Sequence, residues 1–158
     1  MNEPIRFTPH VTVATIVCVD QKFLLVEENI NGQICLNQPA GHLEENEGLI
    51  EAAIRETLEE TGWHIKPTHY LGVCVLKAKN DITYVRHTFC ANPVSHDANL
   101  ELDTGIIGTQ WLTLEEIKAE KDRLRSHLVI TTCEQYIENQ LYPLSLVTSV
   151  SGNTIRVK

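Results

Sequence analysis

The stretch GHLEENEGLIEAAIRETLEETGW, Gly41 to Trp63, places the carboxylates of Glu56, Glu59 and Glu60 within about one helical turn, immediately after Arg55. Asn46 is the expected N-cap, Glu47 falls in the first turn where negative charge suits the helix dipole, and Gly62 is the expected stop. At about 100° per residue, Ile50, Ala53, Ile54, Thr57 and Leu58 share the expected core side. Ala52, Arg55, Glu56, Glu59 and Glu60 fall on the other. Glu56 and Glu60 stack four apart, with Glu59 beside Glu56. Like charges this close repel. A solvated acidic face normally intersperses lysines four residues on, and this helix has none. A divalent cation accounts for the cluster. Hard carboxylate oxygens suit Mg²⁺, with Mn²⁺ as the alternative, better than zinc, and Mg²⁺ usually takes one or two carboxylates together with substrate phosphates. Arg55 is spaced to reach back toward Glu47 or Glu51.

The spacing resembles the Nudix box, G-x5-E-x7-R-E-U-x-E-E-x-G-U, in which U is a bulky apolar residue. Gly41, Glu47, Arg55, Glu56, Glu59, Glu60 and Gly62 fall in register, Trp63 supplies the final apolar position, and Thr57 departs from the preferred aliphatic residue. The resemblance implies a loop–helix–loop within an α/β/α sandwich built on a mixed sheet. It implies Glu56 and Glu60 as principal metal ligands, Glu59 as a third ligand or the general base, and the Gly41 carbonyl alongside them. It also implies an Arg55–Glu47 ion pair that orients the helix. Outside the box, PHVTVATIV from Pro9, NQPAGHLE from Asn37, LRSHLV from Leu124 and LYPL from Leu141 resemble the NudJ phosphatase branch of the family. His127 stands where that branch has proline. This second resemblance implies Mg²⁺-dependent hydrolysis of nucleoside di- and triphosphates and of a thiamine-precursor pyrophosphate, hydroxymethylpyrimidine pyrophosphate, with release of phosphate. The alternatives are an ADP-ribose or dinucleoside polyphosphate hydrolase, and a nucleotide-binding Nudix module without catalysis. The box does not separate the substrates, because specificity lies outside it. Its complete carboxylate set speaks against the binding module.

Composition narrows the partners. The chain has 158 residues, enough for one domain over residues 1–158, with its core expected from Pro9 to Leu144 and a loosely determined tail over 145–158. A net charge of −8 argues against a nucleic-acid polymer, which demands a basic surface. It leaves open a small phosphate ester held through a cation. The five cysteines, with no C-x-x-C pair, read as free thiols of a reducing compartment. No signal peptide and no long apolar run is apparent, so a cytoplasmic protein without membrane association is expected. No heptad pattern demands a dimer, and a monomer is the default.

Along the chain, His10–Val19 reads as a buried strand, Lys22–Glu27 as a second after the Asp20-Gln21 turn, and Asn31-Gly32 as another turn before short Gln33–Asn37. Lys66 and Pro67 open a connector. His69–Lys79 and Ile82–Ala91 read as a hairpin, Ser95–Gly105 as a loop, and Ile106–Leu112 as the last strand. Thr113 opens a capping box with Glu116, and a final helix is expected over most of Asp122–Gln140. Arg86 and Arg125 are candidate phosphate-binding residues, Arg86 through a bidentate fork if it faces the cleft. Asp97, Glu101 and Asp103 are candidate loop bases. His42, His96 and His127 are candidate proton carriers, although a lone histidine is usually structural, as is Trp111.

Overall fold

Residues 6–151 and 154–156 are described by the computed structural model. Two tight hairpins begin the fold. Strands β1 (His10–Val19) and β2 (Lys22–Ile30) are joined through Asp20 and Gln21, both at positive φ, and β2 joins β3 (Gln33–Asn37) through Asn31-Gly32, likewise at positive φ. Left-handed turn residues match the twist of the flanking strands. After short β4 (Ala40–His42) come α1 (Leu49–Thr61), the long strands β5 (Trp63–Lys77) and β6 (Thr83–His96), then β7 (Ile106–Thr113), α2 (Leu114–Ala119) and α3 (Leu128–Ile137). The main sheet runs β3-β2-β1-β6-β5, with β4 also on β1 and β7 also on β2. β1 is parallel to β6 and antiparallel to β2 and β4, so the sheet is mixed.

Both faces of β1 are covered, which explains its near-continuous apolar run. Val13 and Phe89 pack with Ala52 and Ala53 of α1 on one face. Ile16, Phe23, Leu25 and Cys90 pack with Ile117 of α2 and Val129, Ile130 and Cys133 of α3 on the other. The α/β/α sandwich follows.

Several sequence expectations move. The N-cap of α1 is Gly48, not Asn46. Asn46 instead adopts positive φ, and Glu47 precedes the helix rather than lying in its first turn. The buried face of α1 is Ala52, Ala53, Glu56, Thr57, Glu60 and Thr61, so two carboxylates face inward while Ile50, Ile54 and Leu58 are only partly buried. Lys66-Pro67 is not a connector. β5 runs through it by way of register shifts at His64/Ile65 and Pro67/His69, since an edge strand tolerates proline at a bulge. β6 likewise extends to His96 and shortens the expected loop. The last helix shrinks to Leu128–Ile137 behind a 3₁₀ turn over Lys121–Arg123. The tail holds a second 3₁₀ turn, Leu144–Leu146, and a small hairpin of β8 (Ser149–Ser151) with β9 (Thr154–Arg156). Gly62 ends α1 as expected, in the left-handed region with its N–H on the Leu58 carbonyl.

Thr57, the departure from the box, is fully buried. Its Oγ1 lies 2.8 Å from the Ala53 carbonyl and 3.0 Å from Oγ1 of Thr15 on β1. Thr15 Oγ1 lies 3.4 Å from the same carbonyl, so two hydroxyls and the Ala53 carbonyl form one buried polar group across the helix–sheet interface. Removing one hydroxyl takes a partner from the other, whereas removing both removes that loss. Thr57→Val and Thr15→Val are each expected to cost about 1 kcal/mol in denaturant unfolding. The double variant is expected to cost clearly less than their sum.

Candidate metal centre and substrate cavity

Arg55 organises the start of the site. Its Nε and Nη2 donate to the two oxygens of Glu47 at 3.0 and 2.6 Å, and Nη2 also donates to the His42 carbonyl at 2.9 Å. Its Nη1 donates to Glu56 at 2.8 Å and to Glu59 at 3.0 Å. One guanidinium thus ties the loop before α1 to two carboxylates on the helix. Positive φ at Asn46 accompanies a turn in which Glu47 also accepts from the Glu44 N–H at 2.7 Å. Hydrogen bonding to Arg55 holds the Glu47 carboxyl below its ordinary range, and the same contact pushes the Arg55 guanidinium up.

Glu56 and Glu59 meet a third carboxylate, Asp103, one of the three candidate loop acids. One oxygen from each lies within 4.8 Å of the others. The loop is anchored there by the Asp103 N–H on the Glu59 carbonyl at 3.0 Å. Asp97 instead accepts from the Asn99 N–H in its own turn. Glu60 turns to the other side of Glu56, where its Oε2 accepts the Ala40 N–H at 2.9 Å. Gly41 packs so tightly that any side chain there would overlap the Glu56 carboxylate. Burial is the main cause that raises the Glu56 carboxyl, and burial pushes Glu60 up to about 8, with Glu28, Glu56 and Asp103 adding repulsion. Three carboxylates within reach of one another, one of them costly to ionise, form a hard oxygen donor set that fits a divalent cation.

A cavity of about 390 Å³ opens beside this cluster, with Glu60, Gly41, His42, Tyr84 and Arg86 among its walls. Arg86 is not an edge-strand charge facing water: it sits on β6 between β1 and β5 and is 8% exposed. Burial pulls its guanidinium down to about 10, against the stabilising charges of Glu28 and Glu60. Its Nη2 donates to Gln38 Oε1 at 2.8 Å, and its Nε has no partner among the described residues. Gln38 was not singled out in the sequence. It is fully buried, and its Nε2 lies 3.0 Å from the Val129 carbonyl and 3.1 Å from Thr132 Oγ1 on α3. An uncharged amide can both accept from Arg86 and donate to α3. Arg125 lines the cavity and pairs with Glu28 at 3.3 Å. A ring nitrogen of His42 lies 3.1 Å from one of His10, and its ring is tilted against that of Tyr84. His96 packs on Trp63, which meets Trp111 edge to face, and His127 is exposed at the start of α3.

A family profile for the NUDIX domain matches residues 8–132. Phosphatase NudJ of Escherichia coli strain K12 is 40% identical over 141 residues, spanning 89% of this chain and 92% of that protein. Among solved structures, a NUDIX hydrolase from Nitrosomonas europaea superposes with a TM-score of 0.90 at 42% identity, over 92% of this chain and all of that one. A MutT protein from Methanosarcina mazei Go1 shares the fold at 21% identity with a TM-score of 0.68, over 86% of this chain and 99% of that one.

The folded chain holds the Glu60 proton to about pH 8, whereas an unfolded chain releases it near the ordinary 4.5. Between those values the folded state carries the extra proton, so stability falls as pH rises. Glu47 acts oppositely and only at acid pH, since its lowered pKa stabilises above the ordinary value. In chelator, Tm is therefore expected to drop by several degrees between pH 5 and 8. Glu60→Gln is expected to flatten that slope, and Mg²⁺ to restore more stability at pH 8 than at pH 5.

Proposed function

The chain belongs to the Nudix hydrolase family, and from that premise we propose that it is a Mg²⁺-dependent pyrophosphohydrolase of the phosphate-releasing kind. Its substrates in this reading are nucleoside di- and triphosphates, together with thiamine-type pyrophosphates such as hydroxymethylpyrimidine pyrophosphate. The observation that carries the reading is the Glu56–Glu59–Asp103 cluster, clamped by Arg55 beside a cavity into which buried Arg86 is built. The similarity to Phosphatase NudJ supports phosphate release.

Glu56, Glu59 and Asp103 would hold the cation, with Glu60 and the Gly41 carbonyl completing the acidic surroundings. A divalent ion bound there supplies positive charge to phosphate oxygens and acidifies water. Arg86 binds a phosphate oxygen, because it lines the cavity and Gln38 fixes the orientation of its guanidinium through Nη2. Arg125, half exposed at the rim, is the second phosphate contact. Glu59 is the general base. It is the more exposed of the two helix carboxylates on Arg55, which engages its Oε2. Glu56, deeper and shared with the same Nη1, keeps the cluster's geometry while Glu59 takes the proton.

Phosphate release with Mg²⁺ tests the reading on nucleoside di- and triphosphates, thiamine pyrophosphate, ADP-ribose and a dinucleoside polyphosphate. Metal-dependent phosphate from the nucleoside di- and triphosphates and from thiamine pyrophosphate is expected. Glu59→Gln is expected to lower kcat by about 10²–10⁴-fold. A larger loss in Asp103→Asn would move the base to the loop. Cleavage confined to ADP-ribose or the dinucleotide would discard the substrate class, and silence on the whole panel would favour a nucleotide-binding module.

A further inference from the structure

The charged residues of the cavity lining gather at one end. Glu28 pairs with Arg125 at 3.3 Å, and its charge bears on both Arg86 and Glu60. Two residues along β6 from Arg86 the wall changes character. Strand register sets Tyr84 between His10 of β1 and Leu76 of β5, one row outward from Thr12, Arg86 and Cys74. The outer row carries no carboxylate, lysine or arginine. Residues two apart on a strand point to the same face, so Tyr84 and Arg86 look into one cavity about 7 Å apart. Both line it, together with Leu76, Ala78 and His42.

Tyr84 is braced by rings. Its ring meets that of His10 edge to face with centroids 5.5 Å apart, and it is tilted against His42 at 6.1 Å. The two histidines hold each other, with ring nitrogens 3.1 Å apart and rings edge to face. The Tyr84 hydroxyl has no hydrogen-bond partner among the described residues. His10 and His42 are exposed and Tyr84 is half-buried, so part of this fixed aromatic surface stays open at the cavity. Aromatic surfaces gain more from another ring than from the area removed from water alone.

We propose that Tyr84, with His42 beside it, is the subsite for a planar aromatic ring in the organic part of the substrate. A ring joined to its nearest phosphate by a sugar or a single methylene spans the step from Tyr84 to Arg86. Stacking reads the face of a ring and not its pattern of donors and acceptors, so one subsite takes different heterocycles. An aliphatic group of the same width gains burial only. The assignment rests on reading Arg86 and the acidic cluster as the phosphate end.

Binding of methylene-bridged diphosphates with Mg²⁺ tests it, because the bridge resists hydrolysis and the result is independent of phosphate release. Methylenebisphosphonate alone reads the phosphate end. Its benzyl and cyclohexylmethyl monoesters read the ring against an aliphatic group of similar size. Wild-type protein is expected to bind the benzyl ester about tenfold or more tighter than methylenebisphosphonate. It is expected to prefer benzyl over cyclohexylmethyl by about fivefold. Tyr84→Phe is expected to keep that preference, and Tyr84→Leu to bring it to about one. Ratios within one protein are insensitive to a general loss of folded material. Methylenebisphosphonate binding with no gain from the benzyl group overturns the subsite and leaves the phosphate end standing. A benzyl preference that is unchanged in Tyr84→Leu, or lost in Tyr84→Phe, overturns the assignment to the Tyr84 ring. Absence of Mg²⁺-dependent methylenebisphosphonate binding overturns the phosphate-end reading and the subsite with it.

Discussion

Every N–H of Arg55 has a partner, and the site depends on that saturation. The two donors of Nη1 go to Glu56 and Glu59, those of Nη2 to Glu47 and the His42 carbonyl, and Nε to Glu47. Two helix carboxylates on one surface would otherwise repel, and their loop would have no reason to fold back over α1. The side chains of Arg55 and Glu47 are 22% and 16% exposed, so the ions lie between full solvation and full burial. In that setting the Coulomb attraction is screened less than at the surface, and the planar fork meets a carboxylate in a geometry that lysine cannot copy. The guanidinium thus fixes where the metal-binding oxygens stand before any cation arrives.

The remaining charges meet in the cavity wall, Glu28 and Glu60 against Arg86 and Arg125. Burial pushes Glu60 and Arg86 each toward its neutral form, the acid upward and the base downward. Glu28 bears on both: it disfavours ionised Glu60 and favours charged Arg86. The excess of acid lies outside this wall, in the Glu56, Glu59 and Asp103 trio, and acid exceeds base in the chain as a whole. A cation held by such a trio turns its carboxylates from a repulsive into an attractive surface for phosphate oxygens.

How much of this could be read from sequence depended on distance along the chain. The box was legible because its members lie within one helix and one adjoining loop, where spacing translates directly into direction. The Nudix assignment and the mixed α/β architecture followed from it and from the flanking strands. The entry to the helix was not legible: Asn46 is a good cap residue, but the chain uses it as a left-handed turn and caps α1 at Gly48. The inward direction of Glu56 and Glu60 was missed because a hydrophobic projection assigns carboxylates to water, and here the sheet and the cavity wall receive them. Asp103 stands far along the chain from Glu59 and could not be separated from Asp97 or Glu101 until the loop's backbone bond to the helix was seen. The Gln38–Arg86 contact joins β6, the link between β3 and β4, and α3, and no local pattern announces it.

The acidic cluster and the cavity beside it are drawn from different parts of the chain. The acidic cluster is written into α1 and its loop, with one contribution from the segment before β7. The cavity's other walls come from β2, β3, β6 and the turn before α3, none of which touches the box register. The Thr57–Thr15 contact lies on the buried face of α1 against β1, apart from the Arg55 side chain. A strongly patterned helix therefore identifies the family but not the substrate: its spacing fixes a cluster of carboxylates, while the cavity beside it is walled largely by residues of other elements.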